Sequence, residues 1–411
     1  MGINNFLLNE GYENKLRIKS ALNQHIILKN GKKLIDTSFC SGTLLLGHSN
    51  QYINNQFKKQ IGKGIAYGLP NLNADKYSIV LKKIFNSYSK FIMCSSGSEA
   101  NTRAIRLARS LSNKEYIVMT SGSWHGSVDQ LLFDENYNKP SKIILSNGLT
   151  EDIKKKIILV PYNNFEKTKK IINKFKFKIA LVMLEPIQQA LPSLYNEDYI
   201  KKVYNLCKKN NILICFDEMI TGMRVDKFSL QNKLNLKPDI STFGKIIGAG
   251  LPVGVIAVTK KIEKKLKKKN YKVFFGGTFS ANPLVTQVGY QTINFIYTNK
   301  KKIYSKLEKL SKYFENKMNF FFKNNKINIR IIRYNSIIRM IYSNKIVKNK
   351  AEREIIEKNL EDKIKKFKKF VINNGVFLSS KGAIFISYAH SLKDIKYIIK
   401  ILEKAAKKYF N

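Results

Sequence analysis

The sequence predicts an α/β fold in which a mostly parallel sheet, covered by helices, forms one large central unit. A smaller α+β unit is assembled from the two ends of the chain. Three observations predict this. From about residue 90 to residue 259, short and continuously apolar runs alternate with helix-like segments, and strands buried on both faces belong to parallel sheets whose crossovers are helices. Polar punctuation falls just after these runs, where ligands gather in such folds. The ends of the chain are less sheet-like, and no internal repeat or Pro/Gly/Ser linker divides the whole.

Taken in order, "HIILKNGKKLIDTS" near the N-terminus is a hairpin with Asn30-Gly31 as its turn. "KFIMCSS" (90–96) is the first buried strand, and "EANTRAIRLARSL" (99–111), apolar at three- and four-residue steps, is a helix. "EYIVMTS" (115–121), "IALVMLEP" (179–186), "ILICFDE" (212–218) and "PVGVIAVT" (252–259) are further strands, with 196–211 an amphipathic helix between two of them. The run 260–270 is a solvated helix face. Beyond about residue 300, lysine-rich helices alternate with short strands such as 382–389. The expected division is 1–60 and 296–411 for the smaller unit and 61–295 for the larger.

Of the 411 residues 44% are hydrophobic, enough for a large core. The formal charge of +45 raises the possibility of a nucleic-acid-binding protein. The basic residues are spread over the whole length, accompanied by abundant Asn, Ile, Tyr and Phe as AT-rich codon usage would give, and no nucleic-acid-binding signature goes with them. Cys40, Cys94, Cys207 and Cys215 lack metal-ligand spacing and read as buried thiols of a reducing compartment. No metal site is expected. The N-terminal stretch lacks a leader pattern, Phe6 stands where a myristoylation signal wants Ser or Thr, and no apolar run is long enough to cross a bilayer. These features predict a cytoplasmic protein that uses neither membrane nor nucleic acid.

Four strand ends carry the chemistry. "SSGSEA" places Ser96, Gly97 and Ser98 at a helix start, where unsatisfied amides and the helix dipole suit a phosphate, although an ordinary helix cap reads the same way. "SWHGS" offers Trp124 as an aromatic plane, or simply as core. Asp217 follows five uncharged residues, so its carboxylate is buried and needs a partner, for which an N-cap or Arg224 is the plain candidate. Lys245 sits in "FGKIIGAGLPVG", with no other charge from Ser241 to Thr259, and the glycines let a ligand approach an amine that becomes nucleophilic when desolvated. Phosphate cradle, aromatic plane, buried carboxylate and reactive lysine are together the requirements of pyridoxal phosphate.

"SSGSEANTRAIRLAR", "WHG", "LEPIQ", "ILICFDEMITGMR", "PDISTFGKIIGAGLPVG" and "GGTFSANPL" closely resemble the class III pyridoxal-phosphate aminotransferases, in particular the glutamate-1-semialdehyde aminomutase branch. The resemblance runs from "LLLGHSN" (44–50) to "ISYAHSLKDI" (386–395). It implies the fold-type I architecture and a homodimer acting on a small-molecule amino donor and carbonyl acceptor. It further implies that Lys245 holds the cofactor as a Schiff base and shuttles the proton. Asp217 would keep the ring nitrogen protonated, and Ser96, Gly97 and Ser98 would bind the phosphate. Trp124 would stack on the ring beside His125, Glu185 would lie on its hydroxyl side, and Thr278 would reach the phosphate of the neighbouring subunit.

Three departures stand out. The aminomutases begin with a Pro-Gly-Gly-Val-Asn-Ser-Pro-Val-Arg stretch, and nothing before Asn30 resembles it. They carry Trp-Gly-Pro where this chain has "CSGTLLLGH", with Ser41 in place of the Trp, and Phe-Glu-Ala-Gly-Phe where it has Gly382 at the glutamate. The segment 144–164 still resembles the branch's gating loop. Cofactor chemistry is expected intact and substrate recognition altered. An intermolecular aminotransferase is the expected activity, with the aminomutase itself as the alternative.

Overall fold

The computed structural model describes residues 16–135, 142–192, 197–379 and 382–410. The N-terminal stretch that carries the leader and Phe6 readings lies outside the described residues.

A seven-stranded sheet forms the centre, in the order Lys90–Cys94, Gly254–Val258, Ile240–Gly244, Leu213–Asp217, Ile179–Leu184, Tyr116–Thr120, Ile157–Val160. Its strands are predominantly apolar because both faces are covered. Along Ile179–Leu184, Leu181 and Met183 join one core cluster while Val182 and Leu184 join the other, the two-residue alternation of a pleated strand. Helix Gly97–Ser112 covers the first face through Ala100, Ala104 and Ala108, spaced to lie on one side, and helix Glu197–Lys209 covers the second through Tyr199, Val203 and Cys207.

The sheet is parallel except for Gly254–Val258, which runs antiparallel to both neighbours. The connection Lys245–Val253 is one tight turn and a bend, too short for the roughly dozen residues that a parallel crossover needs. Two strands, Ile240–Gly244 and Ile157–Val160, were not among those expected. The first holds Ser241 and Thr242 in a fully buried strand. Ser241 is tolerated there because its hydroxyl bonds to Gln231 Oε1 at 2.6 Å and also lies 2.6 Å from the Tyr88 hydroxyl.

The chain ends build two of the smaller sheets. Strands Ile18–Leu22, His25–Leu28 and Lys33–Asp36 form an antiparallel set, extended by Val376–Phe377 pairing parallel to the third strand. Asn30-Gly31 turns the hairpin as expected, with Gly31 at φ 82. Arg330–Tyr334, Ile337–Ile341 and Ala383–Phe385 form another sheet. Arg224 fastens these parts to the centre: its guanidinium donates to the Gly42 carbonyl (2.6 Å), the Ser336 hydroxyl (3.0 Å) and the Ile386 carbonyl (3.2 Å), and it lies over the Phe385 ring. Burial pushes its pKa down to about 9. Arg224 is therefore not the partner of Asp217.

Cys94, Cys207 and Cys215 are buried as expected, but Cys40 is exposed. It sits in a turn, Phe39 to Ser41, whose three residues all have positive φ. Among the described residues no helix is long and apolar enough to cross a membrane, and no cluster of side chains could hold a metal ion.

Gly254 sets how tightly the centre closes. A Cβ there would stand 2.1 Å from the Ser96 carbonyl oxygen and 2.8 Å from Cys94 Sγ, so Gly254→Ala must push the Ser96 loop off the sheet. We expect a loss of about 1–3 kcal/mol, read as a lower melting temperature together with weaker retention of cofactor. An unchanged melting temperature would show that the loop has slack.

Candidate active site

Asp217 ends the strand Leu213–Asp217, paired with Thr242 on the next strand. It is 3% exposed. Oδ2 accepts from Asn101 Nδ2 (2.9 Å) and lies 2.7 Å from His125 Nδ1, while Oδ1 accepts from the Met219 amide (3.1 Å). A carboxylate so held is oriented and largely compensated without Arg or Lys. Asn101 also donates to the His125 carbonyl (2.9 Å), locking the Trp124-His125-Gly126 turn to the helix. His125 Nε2 and Asn101 Oδ1 are buried with no hydrogen-bond partner among the described residues.

Around the helix start, the two readings of "SSGSEA" both apply, to different atoms. The Ser96 hydroxyl accepts from the Glu99 amide (3.1 Å) and the Glu99 carboxylate returns to the Ser95 amide (2.7 Å), a reciprocal cap. The Gly97 and Ser98 amides lie in the first turn, where a helix supplies them no acceptor. The Ser98 hydroxyl accepts from the Ser127 amide (3.0 Å), and Gly126, at φ 84, has no room for a Cβ, which would fall 2.4 Å from Ser98 Oγ. The aromatic turn thus closes directly on the helix start.

Lys245 follows the strand Ile240–Gly244 at φ 50, half-buried. A left-handed lysine costs roughly 1–3 kcal/mol and persists only where its surroundings impose it. Met219 supplies part of that constraint: a Cβ at Gly244 would lie 2.7 Å from its sulfur and one at Gly97 2.8 Å. Two residues past Asp217, one side chain therefore touches both the residue before Lys245 and the helix start.

Glu185 is buried beneath the aromatic turn, accepting from the Trp124 amide (3.0 Å) and the Gln189 amide (3.4 Å). Burial pushes its carboxyl up to about 7, against the pull of His125 and of these amides. The Trp124 side chain is 46% exposed, a surface plane and not core. Thr278 is exposed in the loop before helix Pro283–Thr298 and joins none of these contacts. Its loop is fixed by Arg103, which donates to the Gly276 carbonyl (2.8 Å).

These residues fit pyridoxal phosphate. First-turn amides face no helical acceptor, His125 Nε2 is buried without a partner among the described residues, and the Asp217 carboxylate is held by Asn101, His125 and the Met219 amide. Sequence reasoning missed Asn101. The available signal was an amide on the same helical face as Ala104 and Ala108, which are apolar.

A family model described as "Aminotransferase class-III" matches residues 8–405. A curated "Glutamate-1-semialdehyde 2,1-aminomutase" of Thermosipho melanesiensis is 33% identical over 403 residues, covering 95% of this chain and 92% of the relative. Among solved structures, an omega-transaminase from Sphaerobacter thermophilus has a TM-score of 0.88 at 18% identity, covering 95% of this chain and 91% of its own. A glutamate-1-semialdehyde-aminomutase from Pseudomonas aeruginosa in complex with PMP has a TM-score of 0.85 at 17% identity, with 96% and 88% covered. The last two likenesses carry the fold.

Glu185 yields a pH prediction. Its folded pKa of about 7 lies above the ordinary 4.5, so between these values the folded state holds a proton that the unfolded chain has released, and stability falls as pH rises. Glu185→Gln should flatten this fall in the cofactor-free protein, gaining on the order of 2–3 kcal/mol at pH 8 and little at pH 4.5. Parallel denaturation curves for the two proteins across that range would refute the assignment.

Proposed function

The chain belongs to the class III aminotransferases, pyridoxal-phosphate enzymes, and from this premise we propose that it moves an amino group from a separate donor to a carbonyl substrate. Pyridoxal phosphate, when bound, supplies a carbonyl that condenses with amines and a ring that takes up the electron pair released at the substrate carbon. Asp217, held by Asn101, His125 and the Met219 amide, is the residue that would keep a proton on the ring nitrogen. Lys245 would hold the cofactor through its amine, and the same amine would serve as the base that takes a proton from the substrate carbon and as the acid that gives it back. The Gly97 and Ser98 amides hold the phosphate and fix its register. Glu185 holds the Trp124 turn in place.

The observation that favours a separate donor is at position 382. Gly382 stands where the aminomutases have glutamate, its φ is 75, and a Cβ there would meet Arg339 Nη2 at 3.4 Å. Arg339 is buried and its charge is shared with Glu357. The backbone at 382 is one a glutamate would adopt only under strain. An aminomutase must retain its intermediate through close contacts and a closed site, and the missing N-terminal arginine stretch, Ser41 and Gly382 all loosen them. The second reading, glutamate-1-semialdehyde 2,1-aminomutase, is favoured by the names of the curated relatives, which the chain matches over nearly its whole length.

A homodimer belongs to this reading. Ile61, Leu69 and Leu72 are exposed apolar residues, as are Phe274 and Phe279, and Asn71 ties the two segments by donating to the Ala281 carbonyl (2.9 Å). A second copy would cover them and bring Thr278 to the neighbouring phosphate.

Three measurements test this. Borohydride reduction of the holoenzyme and peptide mapping should place the pyridoxyl group on Lys245, and an adduct on Lys237 or Lys260 would overturn the site. Asp217→Asn should cost several orders of magnitude in rate while the protein folds, since the amide cannot hold the ring proton; near-normal turnover would make Asp217 structural. Glutamate-1-semialdehyde supplied alone should give little 5-aminolevulinate, whereas efficient conversion without an added donor would establish the aminomutase.

A further inference from the structure

A cavity of about 690 Å³ lies at the end of the central sheet opposite Asp217, lined by residues that precede the strands Lys90–Cys94 and Ile240–Gly244. We propose that it binds a small multivalent anion of the phosphate class, such as a phosphorylated metabolite. Lys227, Lys237, Lys300 and Lys301 line it, no aspartate or glutamate does, and none of the four pairs with a carboxylate among the described residues. Lysines are common throughout this chain, so charge alone does not single the cavity out. Two further observations do.

The first is the start of helix Lys300–Asn324. Its N-cap Asn299 makes no side-chain cap bond and its first turn holds no acidic residue. Lys300 and Lys301 instead place like charge at the positive end of the dipole, where the amides also lack helical acceptors. An anion in the cavity would answer both.

The second is Gln231. It is fully buried, it lines the cavity, and its Nε2 has no hydrogen-bond partner among the described residues. Its Oε1 is committed to the hydroxyls of Tyr88 (2.9 Å) and Ser241 (2.6 Å). An unmet buried donor in the wall of a cavity that four lysines also line calls for an acceptor. The backbone around it is also held unusually, with Lys227, Phe228 and Asn235 at φ 60, 70 and 54.

The aromatic residues argue for charge recognition over base stacking. Lys83 and Lys300 lie over the Tyr297 ring at 4.4 and 4.8 Å, and Phe228 stacks against it at 5.6 Å. The ring is thus already engaged, and the lysines are what the cavity offers a ligand. Its size suits a phosphorylated metabolite.

The test is calorimetric titration of the holoenzyme, whose cofactor site is filled, with inorganic pyrophosphate at low ionic strength. One saturable site is expected. The double variant Lys300→Gln/Lys301→Gln should bind at least about tenfold more weakly while keeping a cooperative melting transition, because it relieves like charge at a helix start as it gives up the Lys300 contact with Tyr297. Lys363→Gln/Lys366→Gln, on an exposed helix elsewhere, removes the same charge and should leave binding within about twofold. Absence of saturable binding at about 10 mM would overturn the proposal, as would equal weakening by both double variants. Citrate binding as tightly as pyrophosphate would overturn the phosphate assignment.

Discussion

The carboxylate of Asp217, buried at the end of a central strand, is the constraint around which the site is arranged. An ionised carboxylate taken out of water costs several kcal/mol unless it is compensated. Here the compensation comes from His125, from Asn101 and from the amide of Met219. Each also fixes something else: Asn101 belongs to the helix that starts at Gly97, His125 to the turn that closes on Ser98, and Met219 to the contact with Gly97 and Gly244. Satisfying one buried charge thereby sets the relative positions of the helix start, the aromatic turn and the strand that leads to Lys245.

The sequence made some of this legible and not the rest, for physical reasons. Continuous apolar runs revealed most central strands, because burial on both faces removes the polar alternation that would otherwise blur them. The strand holding Ser241 and Thr242 escaped notice since two hydroxyl side chains break its apolar run, and the one at Ser241 is met by Gln231 and by Tyr88, the latter 153 residues away. The reversed direction of Gly254–Val258 lay in the shortness of its connection, which composition does not weigh. Asp217 and Lys245 were readable as isolated charges in apolar or glycine-rich surroundings. Asn101 was not, since an amide inside a helix resembles a surface residue until the partner is known. Arg224, expected beside Asp217, instead fastens the chain ends to the centre, a role set by residues about 110 to 180 positions away.

Two carboxyl groups in the same neighbourhood differ in how they are treated. Asp217 is surrounded by N–H donors and by a histidine, whereas Glu185 has two amides and is raised chiefly by burial, with Asp217 adding to the rise. Lys245 is left-handed beside the glycines and the methionine that hold it there, one of several left-handed residues in the fold.

The parallel pairing of Ile35 with Val376 and Asp36 with Phe377 joins segments about 340 residues apart. During synthesis the hairpin at the front of the chain leaves the ribosome long before its fourth strand exists, so that edge stays open until translation is almost finished. Closing so long a loop is also entropically late. A chain truncated before Val376 would leave the Lys33–Asp36 edge unpaired, and an unpaired edge is a template for aggregation.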